Sequence, residues 1–155
     1  MKKFAAASLC CLMLLMILIG CGSSKKVLDM DTFSENVLAE GVFNDELLLL
    51  NNNSVNDYYD LTFEGLEEYR VYISATAATS SEFALFKCSS DAALKSAKAT
   101  VESRIADQIT SYENYRPDEK FRLDNALVET KGDYLLFVVS DNNATIQKLF
   151  EDALK

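Results

Sequence analysis

Arg104, Gln108, Tyr112 and Tyr115 are the residues of this chain whose types and spacing most suggest chemistry. They stand at i, i+4, i+8 and i+11, so a helix would carry them along one strip. A guanidinium is a rigid fork that matches a carboxylate, and phenol rings beside it add flat faces and hydroxyls. One reading of the strip is therefore a recognition surface, pointing toward the Pro117 loop and taking in Asn125. The other reading is structural. Arg104 and Gln108 would then hydrogen-bond the backbone of the connection from Arg116 to Asp124 and fix its path.

Other constellations carry less. Asp118-Glu119 and Glu67-Glu68 are adjacent carboxylates. Glycoside hydrolysis needs two carboxyl groups held across a bond, one with a raised pKa, and adjacency does not provide that. An acidic pair after Pro117 more simply starts a short helix, where negative charge suits the N-terminus. Asn51 to Asp60 and Ser140 to Asn143 are rich in oxygen, but the spaced Asp/Asn loop closed by a bidentate Glu is missing. The sequence contains no histidine. That removes His metal sites, Ser–His and Cys–His nucleophile pairs, and the commonest general base. No catalytic residue, no metal site and no cofactor is assigned.

The elements that must position the strip follow from periodicity. Asp31 or Thr32 can cap a first helix holding Phe33, Val37 and Leu38, with Gly41 near its end. Leu47 to Leu50 is an apolar run that reads equally as strand or helical turn. Tyr69, Val71, Ile73 and Ala75 alternate with polar or exposed positions, and 83–88 makes a second strand, so the two form a hairpin. Ser89-Ser90-Asp91 offers caps for a long helix from about Ala92 to Tyr115, with Leu94, Ala97, Val101, Ile105, Ile109 and Tyr112 as its stripe. Arg116-Pro117 ends it. Residues 121–124 lead into a third strand over 125–130, and Lys131-Gly132-Asp133 is a tight turn. Tyr134 to Val139 is apolar throughout and is placed centrally, with both faces covered or partly covered. Ser140 to Asn143 then caps a last helix.

Phe83 to Phe86 is echoed by Tyr134 to Phe137, and each copy is followed by a polar cap and a helix. The expected fold is α+β: a two-layer sandwich whose antiparallel sheet of about four strands comes from two ββα units. Helices lie mainly on one face, and an N-terminal helix is added.

The N-terminus predicts location. Lys2 and Lys3 precede an uncharged apolar stretch over 9–19, the layout of a secretory signal. Leu18-Ile19-Gly20-Cys21 resembles the bacterial lipobox, in which the cysteine thiol takes a diacylglycerol and the preceding segment is removed. Residues 4–19 reach roughly 24 Å as a helix, short of a ~30 Å hydrocarbon core. The expected organisation is a signal peptide over 1–20, a lipidated tether over 21–30 and one extracytoplasmic domain over 31–155. Without Lys2 and Lys3 the chain keeps 13 basic against 24 acidic side chains, a net charge of −11. That excludes a nucleic-acid partner, which needs a basic surface. Cys10 and Cys11 leave with the signal, Cys21 goes to lipid, and Cys88 remains as a small apolar residue with no disulfide partner.

Arg104 and Gln108 on a helix, Tyr115-Arg116-Pro117-Asp118-Glu119, Asn125-Ala126, and Gly132-Asp133-Tyr134 before an apolar strand together resemble a family. It is a family of small lipoproteins from clostridia and related Gram-positive bacteria, known as domain of unknown function 4358. The likeness runs over roughly residues 27–154 and takes in the lipobox. It implies a protein held at the extracytoplasmic face of the cell membrane by lipid on Cys21, and it carries over no catalytic residue. Two functions remain. One is a non-catalytic binding or interaction module for an envelope protein or small ligand. The alternative is an envelope hydrolase built on carboxylate, Tyr or Arg chemistry. The missing histidines favour the first.

Overall fold

Alternating side chains build the sheet, and Gly132-Asp133 makes its tightest connection. The computed structural model describes residues 26–155, so the signal segment and Cys21 lie outside the described residues. In chain order the elements are α1 (Met30–Ala39), β1 (Leu47–Leu49), a 3-10 turn (Val55–Asp57), β2 (Leu66–Ser74) and β3 (Glu82–Cys88). There follow α2 (Asp91–Tyr112), α3 (Pro117–Asp124), β4 (Leu127–Lys131), β5 (Tyr134–Val139) and α4 (Asn143–Ala153). The chain is an α+β protein with an N-terminal helix and one five-stranded sheet, ordered β1-β2-β3-β5-β4 and antiparallel at every pairing. The fifth strand is the Leu47–Leu50 run, whose type the sequence left open. Leu48 pairs with Ile73 at the sheet edge.

β5 is buried along its whole length and pairs with β3 at the centre. The two-residue period divides these central strands between two cores. Ala84, Phe86, Leu135 and Phe137 pack with Ala97 and Val101 of α2 and Leu123 of α3. Phe83, Leu85, Leu136 and Val138 pack on the other side with Phe33 and Val37 of α1 and Ile146 and Phe150 of α4. Helices thus cover both faces, a finer division than helices mainly on one. The physical reason is β5 itself, since an apolar strand with no polar face must be covered twice.

The two ββα units share their strand phase. Phe83 and Tyr134 face one core, Phe86 and Phe137 the other. Their helices do not share a side. Ser89 and Ser90 join β3 to α2, while the longer Ser140–Asn142 joins β5 to α4. Two helices on opposite faces of an antiparallel centre are related by no twofold axis.

Helix ends follow local chemistry. Asp29, not Asp31 or Thr32, caps α1 by accepting from the Thr32 N–H at 2.9 Å. Ser90 caps α2 by accepting from the Ala93 N–H at 3.2 Å. α2 stops at Tyr112, and Pro117 opens α3 in a first turn that also holds Asp118 and Glu119. Residues 121–124 therefore close a helix and are not a lead-in to β4. Gly132 makes the β4–β5 turn at φ +58°.

Candidate functional site

β3 begins with a carboxylate. Glu82 lies in phase with Ala84 and Phe86 on the α2 side, and it is 1% exposed. A charge that deep is costly unless it is paired and hydrogen-bonded. α2 answers it with two residues one turn apart. Arg104 Nε lies 3.2 and 3.3 Å from the two carboxylate oxygens, and Nη2 lies 3.0 Å from Oε2. Gln108 Nε2 donates to Oε2, and the buried Tyr59 hydroxyl donates to Oε1. Burial and then the Glu82 charge push the Tyr59 phenol well above its ordinary pKa, so it stays a donor. Burial pulls the Arg104 pKa down, but the charge and hydrogen bonds of Glu82 outweigh it and raise it. The guanidinium also stands 5.0 Å from the ring centre of Tyr58, a cation–π contact.

Arg104 and Gln108 thus have a structural partner, but it is Glu82 and not the backbone of the 116–124 connection. Beside this network, between α2 and the β2–β3 turn, lies a cleft of about 330 Å³. It gathers four of the five predicted binding residues: Arg104, Gln108, Tyr112 and Tyr115. Tyr112 donates to the carbonyls of Thr79 at 2.9 Å and Ala77 at 3.2 Å. That bond holds a turn in which Ala77 sits at φ +53°, a strained conformation for a residue with a side chain. Tyr115 is 78% exposed and also lines the cleft. The Gln108 Oε1 is buried and has no hydrogen-bond partner among the described residues.

Asn125 is not brought to this site. It follows α3, donates to the Phe121 carbonyl at 2.7 Å, and accepts at its own carbonyl from Asn143. The acidic pairs also resolve into fasteners. Glu119, 4% exposed, accepts from the Ser80 N–H at 2.7 Å and hydroxyl at 2.8 Å and from Arg122 at 3.1 Å. Burial raises its pKa, but the Ser80 and Arg122 contacts win and hold the carboxyl below its ordinary range. Glu67 pairs with Lys87 and Glu68 with Arg70 near the surface. Among the described residues, no group of three or more His, Cys, Asp or Glu is placed to hold a metal ion.

Sequence reasoning missed Glu82, Tyr58, Tyr59 and Ser80. For Glu82 a signal existed: one carboxylate heads a strand that is otherwise mostly apolar, in phase with the helix-facing residues. The two tyrosines sit in irregular chain, where no period points to them.

A family model described as Domain of unknown function (DUF4358) matches residues 41–140. That span holds the Glu82 network and the whole cleft, while α1 and α4 lie outside it. Neither the curated proteins nor the solved structures contain a match to the chain.

Proposed function

The chain belongs to this family, and on that footing we propose that it is a lipid-anchored lipoprotein of the bacterial envelope acting as a non-catalytic binding module. One observation carries binding over catalysis. Glu82 is the carboxylate of the cleft, and Tyr59, Arg104 and Gln108 occupy both its oxygens. A general base or nucleophile needs a lone pair free to meet the substrate. Glu119 is tied down in the same way. What the cleft offers instead is tyrosine rings and hydroxyl oxygens. These suit recognition of a small ligand or an envelope protein. Hydrolysis of an envelope polymer by the full chain, lost on Glu82→Gln in a still-folded protein, would overturn the non-catalytic reading and favour the hydrolase.

The anchor rests on the signal-like residues 1–20 and on Cys21. Among the described residues no helix is long and apolar enough to cross a membrane. A net charge of −11 is repelled by anionic headgroups, which leaves acyl chains on Cys21 as the membrane contact. The test is Cys21→Ala in a Gram-positive host fed labelled palmitate. The parent chain is expected in the membrane fraction carrying label. The variant is expected to be unlabelled, and either released or left as uncleaved precursor. Unchanged labelling and fractionation would remove the anchor from the proposal.

A further inference from the structure

We infer that the cleft between α2 and the β2–β3 turn is a site for a neutral sugar ring, a hexopyranoside. The inference rests on the binding reading above and names the class of ligand for it. Charge decides first. The charged residues lining the cleft are Glu82 and Arg104, and they neutralise each other. An anion finds no spare cation there. An ammonium group finds no spare carboxylate and meets the Arg104 guanidinium as a like charge.

Hydrogen-bond capacity decides next. Ser74 and Thr79 donate their hydroxyl protons to Asp45, and Ser111 donates to the Asp107 carbonyl. Ser81 Oγ accepts from Arg122, and the Tyr112 hydroxyl is spent on two carbonyls. Ser81 keeps its own hydroxyl proton, so these groups present donors as well as lone pairs. The Arg104 guanidinium, one helical turn from Gln108, turns Nε and Nη2 to Glu82 and brings the rest of its donor fork to the lining. The lining both donates and accepts, so a fitting ligand does the same. Neighbouring hydroxyls on a pyranose ring, one donating and one accepting, match such a mixed lining.

Shape agrees. The rings of Tyr58, Tyr112 and Tyr115 and the side chain of Ile73 line the cleft. Tyrosine presents a flat apolar face with a polar tip, which suits a molecule that is C–H on its faces and O–H at its edge. A volume of about 330 Å³ admits a single ring, with the exposed Tyr115 left to meet a second.

The test is side-chain and backbone NMR of the labelled full chain in micelles, with Gln108, Tyr112 and Tyr115 as reporters. The probes are mono- and disaccharides of glucose, galactose, mannose and N-acetylglucosamine, with n-propylammonium and acetate as charged controls. At least one neutral sugar is expected to give saturable shifts at all three residues, and neither control is. Tyr115→Ala removes an exposed ring and is expected to weaken that sugar roughly tenfold. Its melting temperature should stay unchanged, and Tyr115→Phe should retain binding. Sugar binding that ignores Tyr115→Ala would overturn the placement in this cleft. Shifts from a charged control and from no sugar would overturn the ligand class and leave the binding reading standing. Shifts from no probe would overturn both.

Discussion

At the scale of single residues, Glu82 sets the terms. A carboxylate sealed at the head of a central strand is tolerated because a guanidinium, an amide and a phenol all meet it. Removing one partner leaves a buried charge uncompensated. Arg104→Ala should therefore cost about 3–5 kcal/mol in urea unfolding, while the apolar pair Glu82→Leu with Arg104→Met should recover most of that loss. For the same reason Arg104→Ala is no probe of binding, since its effect on the fold would mask any effect on a ligand; the exposed Tyr115 has no such duty. Glu119 gives the pH dependence. Its carboxyl is held below the ordinary 4.5, so the stability it contributes is present above that value and is lost as pH falls through the lower folded value. Glu119→Gln should lower stability by about 1.5–3 kcal/mol at pH 7. It should also flatten the acid limb of a stability profile measured below pH 4.5. Arg104 and Gln108 were legible as a functional pair because helical spacing puts them side by side. Their partner was not, because it lies 22 and 26 residues away on a strand, where only the apolar run around it marks it.

At the scale of elements, the register of α2 against β3 places Arg104 and Gln108 over Glu82, and Gly65 helps set it. Its carbonyl accepts from the Ser89 N–H at 2.8 Å just before α2 begins. Gly65 has φ +88°, and a Cβ there would stand 2.8 Å from the Ala93 Cβ and 2.9 Å from the Ser89 Oγ. Gly65→Ala combines left-handed strain with a collision against the first turn of α2 and should cost about 2–4 kcal/mol. Gly132→Ala, at φ +58° with open space around it, carries the strain alone and should cost about 1–2 kcal/mol. Parallel urea melts compare the two, and equal losses would remove the role given to the Ala93 contact. Most elements were legible from their periods: both hairpins, the long amphipathic α2, and β5 as the central strand. β1 was not, because three residues are too few to show a period. α3 was hidden because Pro117 reads as the end of one helix, although a proline also suits the first turn of the next.

At the scale of the whole molecule, the sheet separates two cores of different character. The α2 side carries the buried ion pairs and the cleft, and the α1 and α4 side is apolar. That β5 needed cover on both faces was legible from its composition. Which helix went to which face was not, because each helix has an apolar stripe that fits either. The choice lies in the connections, where Ser140–Asn142 is longer than Ser89-Ser90. The Leu28 N–H donates to the Tyr134 hydroxyl at 2.9 Å, and Leu28 and Leu154 both pack into the α1–α4 core. The first and last parts of the described chain therefore leave from the back of the sheet, and the cleft opens at the front. A bead, a fused carrier or a bilayer gripping either end would hold the molecule by its spine and leave its mouth facing outward, free to sample what passes.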